Sequence, residues 1–455
     1  MALSKEITRL DKSNVKLSLT IPRDEVRTKY NDLLNDYCKD IRLPGFRKGK
    51  VPREVLVRKL GNDLQDEILG RIIESALTEV FEEGNLGRKE KPIPYSNPTI
   101  EEKPKFDLDA DLTLSFVYDV LPDVPIGRWK GLEVEVPDVR IEDEDIAREL
   151  EELRERNAIV RDRNEGDAAR KNDVVTVNYR EIGENGETLP NSERQDFVFT
   201  LGTGYNIYQF DDEITGMKKG ETREFVKTWP GDYPESSLAG QTKKLGVTLV
   251  SLKEKELPVL DDDFAQDVDE KYKTLEDLKN SIRERLDKNL ELRMRETTIS
   301  KLLEKIMGNT PVIIPESMIS SELEGRWLNL ARRFNIPVEE LIKRMSKSGR
   351  TVEEIQDEWR PAAENALHSR LIVETLLEEQ KIENSEEEEE KELETMAGEY
   401  GISLEEIKKY YEDEGMMERL GNIIRERKLY DLLLAENTIK KGNKTKYLEF
   451  ATNNG

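Results

Sequence analysis

Residues 45–52 read Gly45-Phe46-Arg47-Lys48-Gly49-Lys50-Val51-Pro52. One large apolar ring, Phe46, stands beside the cations Arg47, Lys48 and Lys50, with Gly45 and Gly49 bracketing the group and Pro44 and Pro52 at its flanks. Proline and glycine this close together exclude a regular helix and an inner strand, so the stretch is a loop tip. A ring surrounded by cations suits docking onto an anionic surface; the plain alternative is a solvated basic hairpin. The neighbourhood extends the charge. From Lys39 to Lys59 the basic residues are Lys39, Arg42, Arg47, Lys48, Lys50, Arg53, Arg58 and Lys59, against Asp40 and Glu54.

The rest of the chain runs the other way. Its net charge is −25, which argues against general nucleic-acid binding and makes the basic loop a local exception. Contact of such a patch with an anionic particle would be reversible and strongly salt-dependent. At 455 residues the chain exceeds one hydrophobic core, and 36% hydrophobic against 37% charged residues suits long, solvated helices over a single globule.

One cysteine, Cys38, excludes an internal disulfide framework and a multi-thiolate metal site, and reads as a small buried hydrophobe. The single histidine, His368, lies in an amphipathic helical stretch and reads as a packing or surface residue. Metal clusters and histidine-based triads are thereby poorly supported, and no cofactor is expected. The chain opens Met1-Ala2-Leu3-Ser4-Lys5-Glu6 without an apolar core of signal-peptide length. No later run is long enough to cross a membrane as a helix, so a cytoplasmic location is expected.

Around the loop, Val15-Lys16-Leu17-Ser18-Leu19 alternates as a strand within Ile7–Ile21, and Pro22-Arg23-Asp24-Glu25 opens a helix with Val26, Tyr30, Leu33, Leu34 and Tyr37. Pro52-Arg53-Glu54 starts a second helix, a third runs near Leu64–Phe81, and Thr99–Glu101 and Leu112–Val120 read as strands. This α+β order, with the octapeptide inside it, resembles the ribosome-binding domain of the trigger factor family, chaperones at the bacterial polypeptide exit tunnel. The resemblance implies that Phe46, Arg47 and Lys48 contact a large-subunit protein beside the exit, within a signature that includes Gly45, Gly49 and Lys50. The implied partners are the large ribosomal subunit, both protein and rRNA, and unfolded nascent polypeptides. A homodimer away from the ribosome is left open.

Further along, the period changes. Val175, Val177 and Tyr179 alternate with polar residues, and Glu184-Asn185-Gly186-Glu187 offers a hairpin turn. Strand patterns follow at Phe197–Leu201, Glu221–Lys227 and Lys243–Leu252, so a four- or five-stranded sheet around one short helix near Ile214 is expected. Gly202-Thr203-Gly204 has no βαβ unit after it and is not read as a nucleotide site. The segments Phe197–Gly202, Gly216–Glu221, Pro230-x-x-Tyr233 and Leu238-Ala239-Gly240 resemble FKBP-type peptidyl-prolyl isomerase domains.

The chemistry so implied needs no general base. An X-Pro amide has a rotation barrier of about 18–20 kcal/mol from resonance, and a water-excluding apolar pocket favours the twisted state over the polar planar one. By family position the pocket would use Tyr179, Phe197, Ile207, Phe210 and Tyr233, with Ile207 supplying a backbone N–H and Tyr233 its ring and hydroxyl. The sequence departs from the pattern at Leu189 and Leu245, where phenylalanines are common, and at Pro190-Asn191, where an acid is common. Tyr208-Gln209 replaces a small or Pro-Gly pair, with Tyr208 expected to narrow the pocket mouth.

Pro122, Pro125 and Pro137 punctuate a linker, and a charged helix runs from about Asp143 to Asn157. After Leu257-Pro258-Val259-Leu260-Asp261 the chain becomes almost wholly helical, with Thr274-x-x-Asp277, Thr351-x-x-Glu354 and Ser403-x-x-Glu406 announcing helices. Met307, Met318, Met345, Met396, Met416 and Met417 are candidates for adaptable client contacts. Trp327 and Phe334 share a helical face and are expected in a core. Glu386–Glu390 reads as a solvated stretch or a helix start.

The expected architecture is multidomain α+β: residues 1–121 binding the ribosome, 122–169 a linker with a packing helix, 170–256 the isomerase, and 257–455 a helical body with arms. Three functional readings fit these residues. They are an ATP-independent ribosome-associated chaperone with isomerase activity, a pure holdase whose isomerase fold is weak or inactive, and an FKBP-type foldase without a ribosome role.

Overall fold

The basic segment lies in sequence between two helices. The computed structural model describes residues 3–453 apart from 11, 12, 42–45, 48–50, 84, 85, 103, 165, 184, 191, 236 and 348. Gly45, Lys48, Gly49 and Lys50 therefore lie outside the described residues, while Phe46 and Arg47 lie within them. The chain divides into two units, residues 1–136 with 296–441 and residues 137–295 with 442–455.

In the first unit, β1 (Ser4–Arg9), β2 (Asn14–Ile21), β3 (Thr99–Ile100) and β4 (Leu112–Asp119) form an antiparallel sheet of order β1-β2-β4-β3. The alternation in β2 buries Val15, Leu17, Leu19 and Ile21 completely, facing Leu112, Leu114 and Phe116 of β4. The single strand read over Ile7–Ile21 is in fact a hairpin. Only Ile7 of β1 is apolar and turned inward, so an edge strand of this composition carries no period-2 signal. Two helices, α1 (Arg23–Asp40) and α2 (Arg53–Thr78), close the sheet through Val26, Tyr30, Leu34, Leu56, Ile68 and Ile72. Gly61 breaks α2 at φ +47°, in the left-handed region that favours glycine, and so separates the two helical runs.

Residues 122–169 hold more than a linker. They contain β5 (Glu133–Arg140), α3 (Asp143–Arg156) and β6 (Ile159–Asp162). Every residue of β6 is exposed, which removes the pattern a strand is recognised by. In the second unit β6 is the edge of a five-stranded antiparallel sheet with β7 (Val174–Ile182), β8 (Arg194–Thr200), β9 (Thr222–Thr228) and β10 (Thr242–Glu256), while α4 (Asp211–Ile214) is the short helix. The long β10 pairs with β6, β7 and β9, and buries Leu245, Val247 and Leu249. Beyond the sheet, α5 (Asp262–Val268) and the first half of α6 (Leu275–Asn309) pack against α3 through Phe264, Leu278, Ile282, Leu286, Ile146 and Leu150.

The helical remainder of the first unit comprises α7 (Glu316–Phe334), α8 (Val338–Lys347), α9 (Val352–Glu379), α10 (Glu386–Tyr400), α11 (Leu404–Tyr410) and α12 (Glu414–Glu436). Capping boxes start α9 at Thr351 with Glu354, α10 at Ser385 with Glu388, and α11 at Ser403 with Glu406. His368 accepts no catalytic role: its Nε2 lies 2.7 Å from the Thr310 carbonyl and ties α9 to the end of α6. Trp327 is buried and its ring centroid lies 4.8 Å from that of Trp359. Phe334 corrects the expectation of a core position, being 63% exposed. It is the last residue of α7, where Asn335 turns left-handed, and so ends the helix beyond the packed stretch.

Among the candidate methionines, burial withdraws Met318 alone, and Met416 is half-buried like the other four. Met318 is buried, and Met307, Met345, Met396 and Met417 pack half-buried against local clusters. Exposed apolar surface is carried by Leu328, Phe334, Tyr400, Tyr410 and Ile423. A strand that sequence does not signal, β11 (Thr438–Lys446), pairs with β5, and α13 (Tyr447–Asn453) ends the described chain. Lysine-rich and largely exposed, β11 lacks apolar alternation.

Candidate functional site

Sheet geometry brings rings from four separate segments to one place. Along β8, Phe197 and Phe199 point inward while Val198 between them is 55% exposed. Tyr179 on β7 meets Phe197 edge-on at 5.7 Å and Phe210, just before α4, at 5.4 Å. Phe210 is wholly buried and contacts Phe199 at 6.0 Å and Phe225 of β9 at 6.4 Å. Tyr208, against Phe210, and then Trp229 link this group to Tyr233, which lies 6.4 Å from Trp229. Pairs of this kind contribute roughly 0.5–1.5 kcal/mol each beyond the area they bury, so the wall they form is rigid.

Ile207 lies at the rim, 48% exposed, and its backbone N–H has no hydrogen-bond partner among the described residues. The Tyr233 hydroxyl donates to the Ile207 carbonyl at 3.3 Å. Tyr179, Phe197, Ile207, Phe210 and Tyr233 are therefore connected through direct contacts or through Tyr208 and Trp229. Burial holds the Tyr179 hydroxyl above its ordinary range, with the Arg194 guanidinium partly offsetting this. It is a neutral donor near neutral pH.

A local polar network shapes the turn that carries Ile207. Asn206, 2% exposed, donates to Asp211 Oδ2 at 2.7 Å and accepts the Phe210 N–H at 2.9 Å. The Gln209 N–H closes the turn onto the Asn206 carbonyl at 2.9 Å. The amides of Gly202 and Gly204 donate to Asp211 Oδ1 at 2.7 and 3.2 Å. Their cradle is thus filled by the chain's own carboxylate, which leaves a nucleotide phosphate no role there.

Tyr208 corrects the expectation of a residue narrowing the mouth. It is 9% exposed, stacked on Phe210 at 6.3 Å and tilted against Trp229 at 5.9 Å. Turned inward, it adds a ring to the wall, and the wholly buried Leu245 belongs to the same cluster. Phe199, Phe225 and Trp229 are further wall residues that the sequence reading left out. Alternation on β8 marks Phe199, and the alternation of β9 marks Phe225 and runs on through Lys227 to Trp229. Pro190 is exposed, and Asn191 lies outside the described residues.

A cleft of ≈ 420 Å³ elsewhere in the second unit, along β5, α3 and β11, is lined by charges that satisfy one another. Asp138 pairs with Arg140 at 3.7 Å, Asp145 with Arg148 at 2.9 Å and Glu144 with Lys446 at 3.7 Å, so it offers no apolar seat for a prolyl ring.

On the first unit the basic loop leaves α1 at Ile41, which packs half-buried on the core, and returns through Val51, 5% exposed. Between these anchors Phe46 is 40% exposed and Arg47 is exposed. An exposed aromatic ring beside an exposed arginine is a pair of side chains available to a partner. Arg53, Arg58 and Lys59 are exposed on the first turns of α2 and continue the positive face.

The family model of the bacterial trigger factor protein matches residues 3–153, and that of the trigger factor C-terminus matches residues 274–435. Between them, the FKBP-type peptidyl-prolyl cis-trans isomerase model matches residues 166–250. The trigger factor of Treponema denticola is 42% identical over 449 residues, covering 99% of each chain. That of Borreliella afzelii is 32% identical over 453 residues, covering 99% of this chain and 98% of its own. A solved trigger factor chaperone, 23% identical, superposes with a TM-score of 0.50 over 95% of this chain and 99% of its own, which shows the shared fold.

Proposed function

The chain belongs to the bacterial trigger factor family, and from that premise we propose how it divides its work. It is a chaperone of this family with an FKBP-type peptidyl-prolyl isomerase domain. The division proposed is by segment: residues 1–121 dock, 170–256 catalyse, and 257–455, with the helix of 122–169, hold clients.

Docking is to the large ribosomal subunit at the polypeptide exit, in the cytoplasm. Phe46 fills an apolar pocket on a ribosomal protein, while Arg47 and Lys48 pair with its acidic groups or with rRNA phosphates. Gly45, Gly49 and Lys50 let the tip approach closely. The observation that carries this reading is the exposure of Phe46 between the anchored ends Ile41 and Val51. Nascent chains are held without ATP by scattered apolar side chains such as Leu328, Phe334, Tyr400 and Tyr410, each contributing little. Away from the ribosome, a homodimer would cover the same surfaces.

For the isomerase, Tyr179, Phe197 and Phe210 form the floor and wall that exclude water from the X-Pro amide. The Ile207 N–H and the Tyr233 hydroxyl hold the peptide in place. The reading in which this fold is weak or inactive rests on the departures at Leu189, Leu245, Pro190-Asn191 and Tyr208-Gln209 together; the inward Tyr208 speaks against a narrowed mouth, and the isomerase assay decides the rest.

Cosedimentation with 70S ribosomes over a salt series tests the docking. Binding is expected to fall log-linearly as salt rises, because cations of the loop displace counterions. Binding indifferent to salt would remove the basic loop from the interface.

A further inference from the structure

Tyr208, which the sequence reading set among the departures from the isomerase pattern, is anchored by its hydroxyl as well as by its ring. Its hydroxyl donates to Glu181 Oε1 at 2.7 Å. The same oxygen accepts from Lys243 Nζ at 2.8 Å. Glu181 belongs to β7 and Lys243 to β10, neighbouring strands of the sheet, so the turn carrying Tyr208 is pinned to two strands at once. The Glu181 and Lys243 side chains are only 12% and 23% exposed, which screens the pair from water and strengthens it.

The pinning falls on a strained turn. Gln209, next in sequence, sits at φ +48°, in the left-handed region that a side chain adopts at a cost. Its carbonyl accepts from Lys227 of β9. On the other side the turn is held by Asn206 through Asp211. Ile207, whose N–H would receive the substrate, lies between these two clamps. The Tyr208 ring in turn stands edge-on to Tyr179 at 5.5 Å and stacks on Phe210.

We propose that Tyr208, with Glu181 and Lys243, is a positioning element of the prolyl site, fixing both the Ile207 N–H and the rings of Tyr179 and Phe210. Tyr208 touches no substrate; it acts through its neighbours. Burial, reinforced by the Glu181 carboxylate, raises the Tyr208 hydroxyl well above its ordinary range, so it stays a donor at any working pH. The inference rests on the pocket assignment above.

The test is a double-mutant cycle in the full-length chain, with Tyr208→Phe, Glu181→Gln and both together, assayed for cis/trans exchange of a proline tetrapeptide. Tyr208→Phe keeps the ring and removes only the anchor. A drop in kcat of about tenfold with KM little changed is expected, as for an interaction realised in the transition state. The double variant should lose no more than the worse single, since the two groups act as one unit. The fluorescence of Trp229, whose ring abuts Tyr208, should report the loosened turn in each variant. Wild-type kcat and KM in Tyr208→Phe, or fully additive losses, would overturn the proposal. Phe197→Ala serves as the pocket control. If it abolishes exchange while Tyr208→Phe leaves it intact, only the positioning role fails; if it has no effect, the pocket assignment falls and the positioning role with it.

Discussion

Phe210→Ala is expected to lower kcat/KM for proline isomerisation by at least about 30-fold, the loss of transition-state stabilisation that follows from opening the pocket to water. Phe210 is the hub of the ring cluster, in contact with Tyr179, Phe199, Tyr208 and Phe225. Without it the amide meets solvent, and the planar ground state regains its hydration. The same change leaves a cavity and destabilises the isomerase module by about 3–5 kcal/mol. Tyr233→Phe therefore accompanies it as a milder probe. That variant keeps the ring and removes only the hydroxyl that donates to Ile207, at a half-exposed position. A several-fold loss of rate with an unchanged melting curve is expected, and full activity in both variants would move the catalytic site elsewhere.

The second large effect is at the loop. With Phe46, Arg47 and Lys48 all replaced by alanine, ribosome affinity is expected to fall by about 30-fold or more. Removal of one buried aromatic or arginine anchor typically costs ~2 kcal/mol or more, and each 1.4 kcal/mol is about a factor of ten. Phe46 and Arg47 are exposed and lie outside the α+β core, which should therefore keep its stability. Isomerisation of a tetrapeptide should be unchanged, because Phe46 belongs to one unit and the ring cluster to the other. Equal cosedimentation of wild type and variant would leave the foldase reading, with the loop serving another acidic partner.

How far the sequence could be read followed burial. Where a strand buries one face, as with Val15, Leu17 and Leu19, the period is written in the residues and the element is legible. Where a strand is an exposed edge, as with Ser4–Arg9, Ile159–Asp162 and Thr438–Lys446, hydrogen bonding to a neighbour makes it a strand and the side chains carry no record of that. Phe334 shows the converse error. Its spacing from Trp327 matches a helical face, but spacing says nothing of where the covering helix stops.

The site divided in the same way. Tyr179, Phe197 and Phe210 stand in segments with recognisable pattern, and the structure brings them together. Tyr208 was misread because its orientation depends on Glu181 and Lys243, distant in sequence and adjacent only once β7 and β10 pair. Trp229 closes the wall two residues past Lys227 on the inward face of β9, a cue present in the alternation that a strand ended at Lys227 leaves out.

On the function proposed above, the basic loop is an address for the ribosome while catalysis and client holding lie elsewhere. Photo-cross-linking from position 46 to 70S ribosomes tests it most directly, with a photoreactive phenylalanine in place of Phe46 in the full-length chain. Cross-links to protein at the large-subunit tunnel exit, suppressed by raised salt, are expected. Binding without any cross-link from position 46, or cross-links confined to the small subunit, would contradict it.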